Sequence, residues 1–155
     1  MIIAGTGHRP SSCPCKYDEG HSWLLAVKNR IRAELLKDKP DIVISGMALG
    51  MDIWLAEIAI DLHIPVKAYV PFKGQEVNWP QKSQDRYNDI LARVVELHYS
   101  EDKYSNYAFL KRDREMVDDC DHVYALYNTE VLSGGTYYTV NYAKEKGRSM
   151  TNFWV

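Results

Sequence analysis

Three glycine-bearing segments hold the residues best suited to chemistry: Gly5-Thr6-Gly7, Ser45-Gly46-Met47-Ala48-Leu49-Gly50 and Ser133-Gly134-Gly135-Thr136. Glycine reaches positive φ without steric cost and lets backbone N–H groups come close to a ligand. Where such a segment opens a helix, unsatisfied N–H donors and the positive end of the helix dipole form a ready anion site. Thr136 adds a hydroxyl donor to the third segment. Tight turns also call for glycine, so any one segment reads equally as a turn. Three of them at one sheet edge point to phosphate or ribose contact, and hence to a nucleotide-type ligand.

His8-Arg9-Pro10 follows the first segment directly. Arginine binds phosphate through two parallel N–H donors, and Pro10 would stiffen its approach. Arg9 is thus a ligand cation or an exposed loop arginine, and His8 a polar ligand contact or a loop histidine. Asp52 falls in the first turn of a helix, where the dipole favours a carboxylate. It reads as a cap or as an acceptor for a ligand hydroxyl. Glu57 interrupts an apolar run and needs a partner there. Five residues apart on a helix, Asp52 and Glu57 point about 140° away from each other, so they are no simple catalytic pair. Phe72, Gln75 and Trp79 lie in a loop that could form a lid or stacking wall, or that Trp79 merely anchors. Within Lys111-Arg112-Asp113-Arg114, a basic cluster is a solvated helix face unless Arg112 or Arg114 reaches the site.

Apolar patterning supplies the elements that must position these groups. Met1–Ala4, Asp41–Ile44, Val66–Val70, Val94–Tyr99, His122–Tyr127 and Met150–Val155 read as strands, several of them continuous apolar runs as in a buried parallel sheet. Trp23–Leu36 carries Leu24, Val27, Ile31 and Leu35 at intervals of three and four, which predicts an amphipathic helix. Gly50–Leu62, Gln81–Leu91, Tyr107–Val117 and Thr136–Lys146 also read as helices. Strands alternating with helices predict a three-layer α/β/α, Rossmann-like fold with a mostly parallel sheet, in one domain spanning 1–155. Ligands in that architecture bind beyond the carboxyl ends of the strands, where the strand order reverses.

Bulk properties narrow the function classes. The chain is 46% hydrophobic and 26% charged with a formal net charge of −2, an ordinary globular composition. That balance gives no electrostatic reason to expect nucleic acid or an anionic membrane as partner, so neither is expected. No apolar run reaches membrane-spanning length and the first residues do not resemble a signal peptide, so the chain reads as cytoplasmic. Cys13, Cys15 and Cys120 make neither a disulfide framework nor zinc spacing, so no metal is expected.

Taken in order, these segments resemble the SLOG superfamily, specifically its YpsA-like branch of bacterial and phage proteins. The matching pieces are Gly5–Pro10; Ser45–Asp52 with Trp54, Ala56 and Glu57; Pro71-Phe72 with Gly74-Gln75-Glu76 and Trp79; Gln84–Tyr87; Met116–Asp118; and Gly134–Thr136 with Thr139-Val140 and Tyr142-Ala143. The resemblance covers nearly the whole chain. It implies a Rossmann-like pocket for a nucleotide derivative such as ADP-ribose or an NAD-like molecule, with no further cofactor required. A homodimer is also an expectation from this resemblance. The wider superfamily includes the cytokinin-activating phosphoribohydrolases, which carry a glutamate in the helix after the final glycine loop. Thr139 stands in that place here and cannot act as a carboxylate. The family's Arg-Asn step likewise appears as Arg112-Asp113.

The leading expectation is therefore a sensor or sequestering domain for a nucleotide-derived small molecule. The alternatives are an N-glycosidase or nucleotide hydrolase using Asp52 or Glu57, and a protein-interaction module displaying tyrosines such as Tyr104 and Tyr107.

Overall fold

A computed structural model describes residues Met1–Val155. The elements run β1 (Ile2–Gly7), a short 3-10 turn (Pro10–Ser12), α1 (Ser22–Asp38), β2 (Ile42–Ser45), α2 (Met51–Asp61) and β3 (Val66–Val70). There follow α3 (Gln81–Leu91), β4 (Glu96–Tyr99), α4 (Asn106–Asp118), β5 (His122–Leu126), α5 (Gly135–Glu145) and β6 (Ser149–Asn152). All six strands form one sheet in the order β4-β3-β2-β1-β5-β6, and every adjacent pair is parallel. The chain builds outward from β1 to β4, then crosses back to lay β5 on the other side of β1. The strand order thus reverses between β1 and β5.

Two hydrophobic clusters occupy the two faces of the sheet. One gathers α1, α2 and α3 through Leu24, Val27, Ile31, Leu35, Leu55, Tyr87 and Ile90. The other gathers α4 and α5 through Met116, Val117, Val140 and Ala143. Eight of the eleven residues of α2 are buried, because it packs on β1 and β2 and against α1. Its near-continuous apolar sequence reflects contact on every side.

The first strand differs from the sequence expectation in a way that matters for the site. Gly5-Thr6-Gly7 is not a loop after β1 but its carboxyl half, paired with Tyr124, Ala125 and Leu126 of β5. A Cβ on Gly5 would lie 2.6 Å from Leu55 Cδ2, and one on Gly7 2.5 Å from Met51 Cβ. These glycines keep the ladder intact while α2 presses against it, a packing role that periodicity does not reveal. The final strand is also shorter than expected. It stops at Asn152, and Trp154 turns back to pack edge-on against both Trp23 and His8.

Candidate functional site

A cavity of about 400 Å³ opens at the carboxyl ends of β1 and β5, where the strand order reverses. That is the place an open parallel sheet offers a ligand, because neighbouring loops there diverge to opposite faces. Eleven of the residues singled out from the sequence line it: Gly5, Thr6, Gly7, His8, Arg9, Asp52, Arg112, Ser133, Gly134, Gly135 and Thr136.

The side of the cavity under α2 is tightly built. Gly50 sits at φ 98°, and a Cβ there would lie 2.8 Å from the His8 carbonyl oxygen. Its turn delivers Asp52 to the cavity at 8% exposure. Asp52 Oδ2 accepts the Ala48 N–H at 3.2 Å. Burial pushes the Asp52 carboxyl up to about 6, against the opposing pull of Arg112 and the Ala48 N–H. Arg112 is itself buried. It donates from one terminal nitrogen to the Gly46 carbonyl at 2.6 Å and from Nε to Asp113 Oδ1 at 2.7 Å. Of the alternatives for the basic cluster, Arg112 therefore reaches the site. Arg114 faces outward and donates to the Tyr138 hydroxyl.

His8 is fastened into the frame. Its Nε2 accepts the Asn128 N–H at 3.0 Å, tying the end of β1 to the loop after β5. Burial holds its pKa below the ordinary histidine value, which keeps the ring neutral and able to accept.

The opposite side is open. Arg9 is exposed, and its guanidinium makes no hydrogen bond or ion pair. Ser133, Gly134 and Gly135 are exposed too, and Thr136 is half-buried. No side chain caps the N-terminus of α5. Gly134 has φ 91° and ψ −179°, a conformation that essentially only glycine adopts. A Cβ on Gly134 or Gly135 would meet no atom within 4 Å. Packing therefore does not demand glycine at either position. The gap leaves the first N–H groups of α5 reachable from the cavity.

Several expected site residues hold the frame instead of lining the cavity. Ser45 Oγ donates to the Asp52 carbonyl at 2.8 Å and accepts the Met47 N–H at 3.1 Å. Gly46 lies under Asp52 and Arg112, where a Cβ would come within 2.7 Å of Asp52 Oδ2. Met47 is fully buried at φ 59°, and its carbonyl accepts from Gln75 at 3.1 Å. Phe72 packs edge-on against Phe109 and Tyr104, and Trp79 against Tyr87. Of the alternatives for the loop of Phe72, Gln75 and Trp79, the anchored, packed loop is the one found, not a lid.

Glu57 is the clear departure. It accepts from Arg86 with both oxygens, one pair at 2.8 Å and the other at 2.5 Å, and lines a separate cavity beside α3. The chain brings Asp52 to the site and leaves Glu57 elsewhere, as their angular separation on α2 requires. Thr139 is buried and donates to the Gly135 carbonyl at 2.8 Å, so its hydroxyl serves the helix backbone.

Five further residues complete the lining: Ser12, Ala48, Phe109, Asp113 and Val131. Phe109 and Arg112 stand three apart on α4, the spacing of one helix face, and that signal was available in the sequence. Ser12 and Val131 lie in irregular segments and carry no comparable signal.

The comparisons with known proteins agree with this architecture. The sequence model of the YspA SLOG family matches residues 3–154, and the chain belongs to that family. A UPF0398 protein of Bacillus licheniformis is 29% identical over 154 residues, covering 93% of this chain and 83% of that protein. UPF0398 protein YpsA of Bacillus subtilis is 31% identical over 139 residues, covering 83% and 77%. Among solved structures, DNA processing protein A of Streptococcus pneumoniae shares the fold at a TM-score of 0.67 and 20% identity, covering 96% of this chain. The chain spans 48% of that structure. DNA processing protein A of Helicobacter pylori, described for its single-stranded DNA binding mode, also gives 0.67 at 18% identity, with 97% and 63% coverage.

The last of these corrects one expectation. A net charge of −2 gives no reason to expect nucleic acid, yet a protein with this fold is described as binding single-stranded DNA, so the exclusion of nucleic acid does not stand. Whole-chain charge averages over a surface, whereas phosphate contacts are made by a few local groups. No helix of the chain is long and apolar enough to cross a membrane.

Proposed function

We propose, with family membership as the premise, that this protein binds a nucleotide-derived small molecule at the switch-point cavity as a sensor or sequestering domain. The ligand class is ADP-ribose, an NAD-like compound or another nucleotide. The observation that carries this reading is the Ser133–Thr136 loop, where two glycines without packing constraints expose the uncapped start of α5 beside Arg9. A phosphate placed there would accept hydrogen bonds from backbone N–H groups at the positive end of the helix, with Arg9 supplying an exposed, unpaired cation. The volume, about 400 Å³, lies within the usual range for small-ligand pockets.

Isothermal titration with ADP-ribose, NAD, AMP and cyclic nucleotides tests the reading. Saturable binding of at least one is expected, and no binding at millimolar concentration would sink it. A single-stranded DNA partner is a second reading, favoured by the description of the Helicobacter pylori structure. Fluorescence anisotropy with a labelled oligonucleotide separates the two. Competition by a free nucleotide places both ligands in the same cavity.

Of the two carboxylates expected for hydrolysis of an N-glycosidic bond, Asp52 lines this cavity and Glu57 lines another. Chromatography for released base, with Asp52→Asn as control, tests that alternative.

A further inference from the structure

Two carboxylates in the cavity are only half engaged. Asp52 gives Oδ2 to the Ala48 N–H, while its Oδ1 has no donor from the protein although the residue is more than nine-tenths buried. Asp113 gives Oδ1 to Arg112, and its Oδ2 has no donor either. Both residues line the cavity together with Arg112. An ionised carboxylate only accepts hydrogen bonds, so the free oxygens call for donors on the ligand.

A nucleotide anchored by its phosphate at α5 carries a pair of neutral O–H donors one sugar ring away, the 2′ and 3′ hydroxyls. Its exocyclic amino groups lie farther off, on the base. A divalent cation is the other common use of paired carboxylates. Here Arg112 already supplies positive charge to Asp113 at 2.7 Å, and no group of three or more His, Cys, Asp or Glu residues is arranged to hold a metal.

Resting on the phosphate site argued above, we propose that Asp52 and Asp113 read the vicinal hydroxyls of a ribose, so that the cavity selects ribonucleotides over 2′-deoxyribonucleotides. Asp113 becomes a specificity-determining residue by this reading. It stands where the family resemblance leads one to expect asparagine, whose amide can offer a donor as well as an acceptor. Arg112 orients Asp113 while keeping its own hold on the Gly46 carbonyl.

Titration of the intact protein with AMP and with 2′-deoxy-AMP, first without and then with EDTA, tests the assignment. AMP is expected to bind about tenfold tighter or more, the usual penalty for leaving a charged acceptor without its hydroxyl. Equal affinity for the two nucleotides overturns the diol reading and leaves the phosphate site standing. Loss of AMP binding on adding EDTA assigns the carboxylates to a cation and overturns it as well. If neither nucleotide binds at millimolar concentration the inference fails, and the wider ligand panel then decides the phosphate site by itself. Asp113→Asn is expected to weaken AMP while leaving 2′-deoxy-AMP unchanged, narrowing the ratio. An equal loss for both nucleotides in a variant with wild-type melting means that Asp113 does not read the 2′ hydroxyl and overturns it as the specificity-determining residue. The wild-type comparison needs no variant, so it decides the matter even if Asp113→Asn folds poorly.

Discussion

The two glycine pairs that border the cavity look alike in sequence and do opposite things. Gly5 and Gly7 are small because α2 leaves no room for a Cβ, with Leu55 and Met51 at 2.6 and 2.5 Å. Gly134 and Gly135 face open space, with nothing within 4 Å. One pair closes the helix onto the sheet and thereby delivers Asp52. The other uncovers backbone donors. The site is therefore a rigid wall facing an accessible loop, and stability and binding should separate along that line.

Gly7→Ala should break the rigid side most strongly. Its new methyl group must displace Met51 close to its backbone, at an expected cost of about 2–3 kcal/mol. For a chain of this length that corresponds to a fall in Tm of roughly 5–10 °C by calorimetry. A Tm unchanged within error would mean that α2 does not press on β1 as described.

Asp52→Asn should sharpen the same side through its pH dependence. The folded-state pKa of about 6 lies above the ordinary aspartate value of 3.8, so the folded chain holds the proton more tightly. The ionised wild type is therefore destabilised progressively as pH rises from about 4 to 6, and fully so above that window. Asparagine removes the charge, so the variant's stability relative to wild type should increase by about 2–3 kcal/mol between pH 4 and pH 7.5. Denaturant midpoints at the two pH values measure this. A difference that does not vary with pH would refute the buried carboxylate.

On the open side, Gly135→Ala should change stability by no more than about 1 kcal/mol, and upward, since alanine is the better helix residue. Nucleotide affinity should fall nonetheless, because the methyl group occupies space at the first turn of α5. Unaltered affinity in titration would separate that loop from the ligand.

The smallest effect is expected at Glu57, outside both sides of the comparison. Glu57→Gln loosens a partly exposed pair with Arg86, worth about 0.5–1 kcal/mol. Ligand affinity should stay the same. A loss of binding would bring Glu57 back as a site residue and break the division of α2 into a site end and a scaffold end.

Local patterning makes most of the fold legible in the sequence. The strands Val66–Val70 and the helix Gln81–Leu91 have the boundaries expected from the sequence, and Leu24, Val27, Ile31 and Leu35 are buried as their spacing demands. Ten of the eleven expected cavity residues were legible from their places at or after strand ends, which converge in a parallel sheet, whereas Arg112 lies on α4 and its sequence left a solvated face equally open. What the chain order did not contain was contact between distant segments. Gly5 and Gly7 read as loop residues because the helix that crowds them is more than forty residues away. Gln75 and Trp79 read equally as a lid or as a loop with Trp79 for its anchor, because the ring partner of Trp79, Tyr87, lies on another element. The same holds for the glycines at the cavity. Sequence determined that glycine stands at both sites and where the sheet edge brings them. Only the tertiary structure decided which pair is small to admit a helix and which faces open space, because that depends on what fills the space where a Cβ would be.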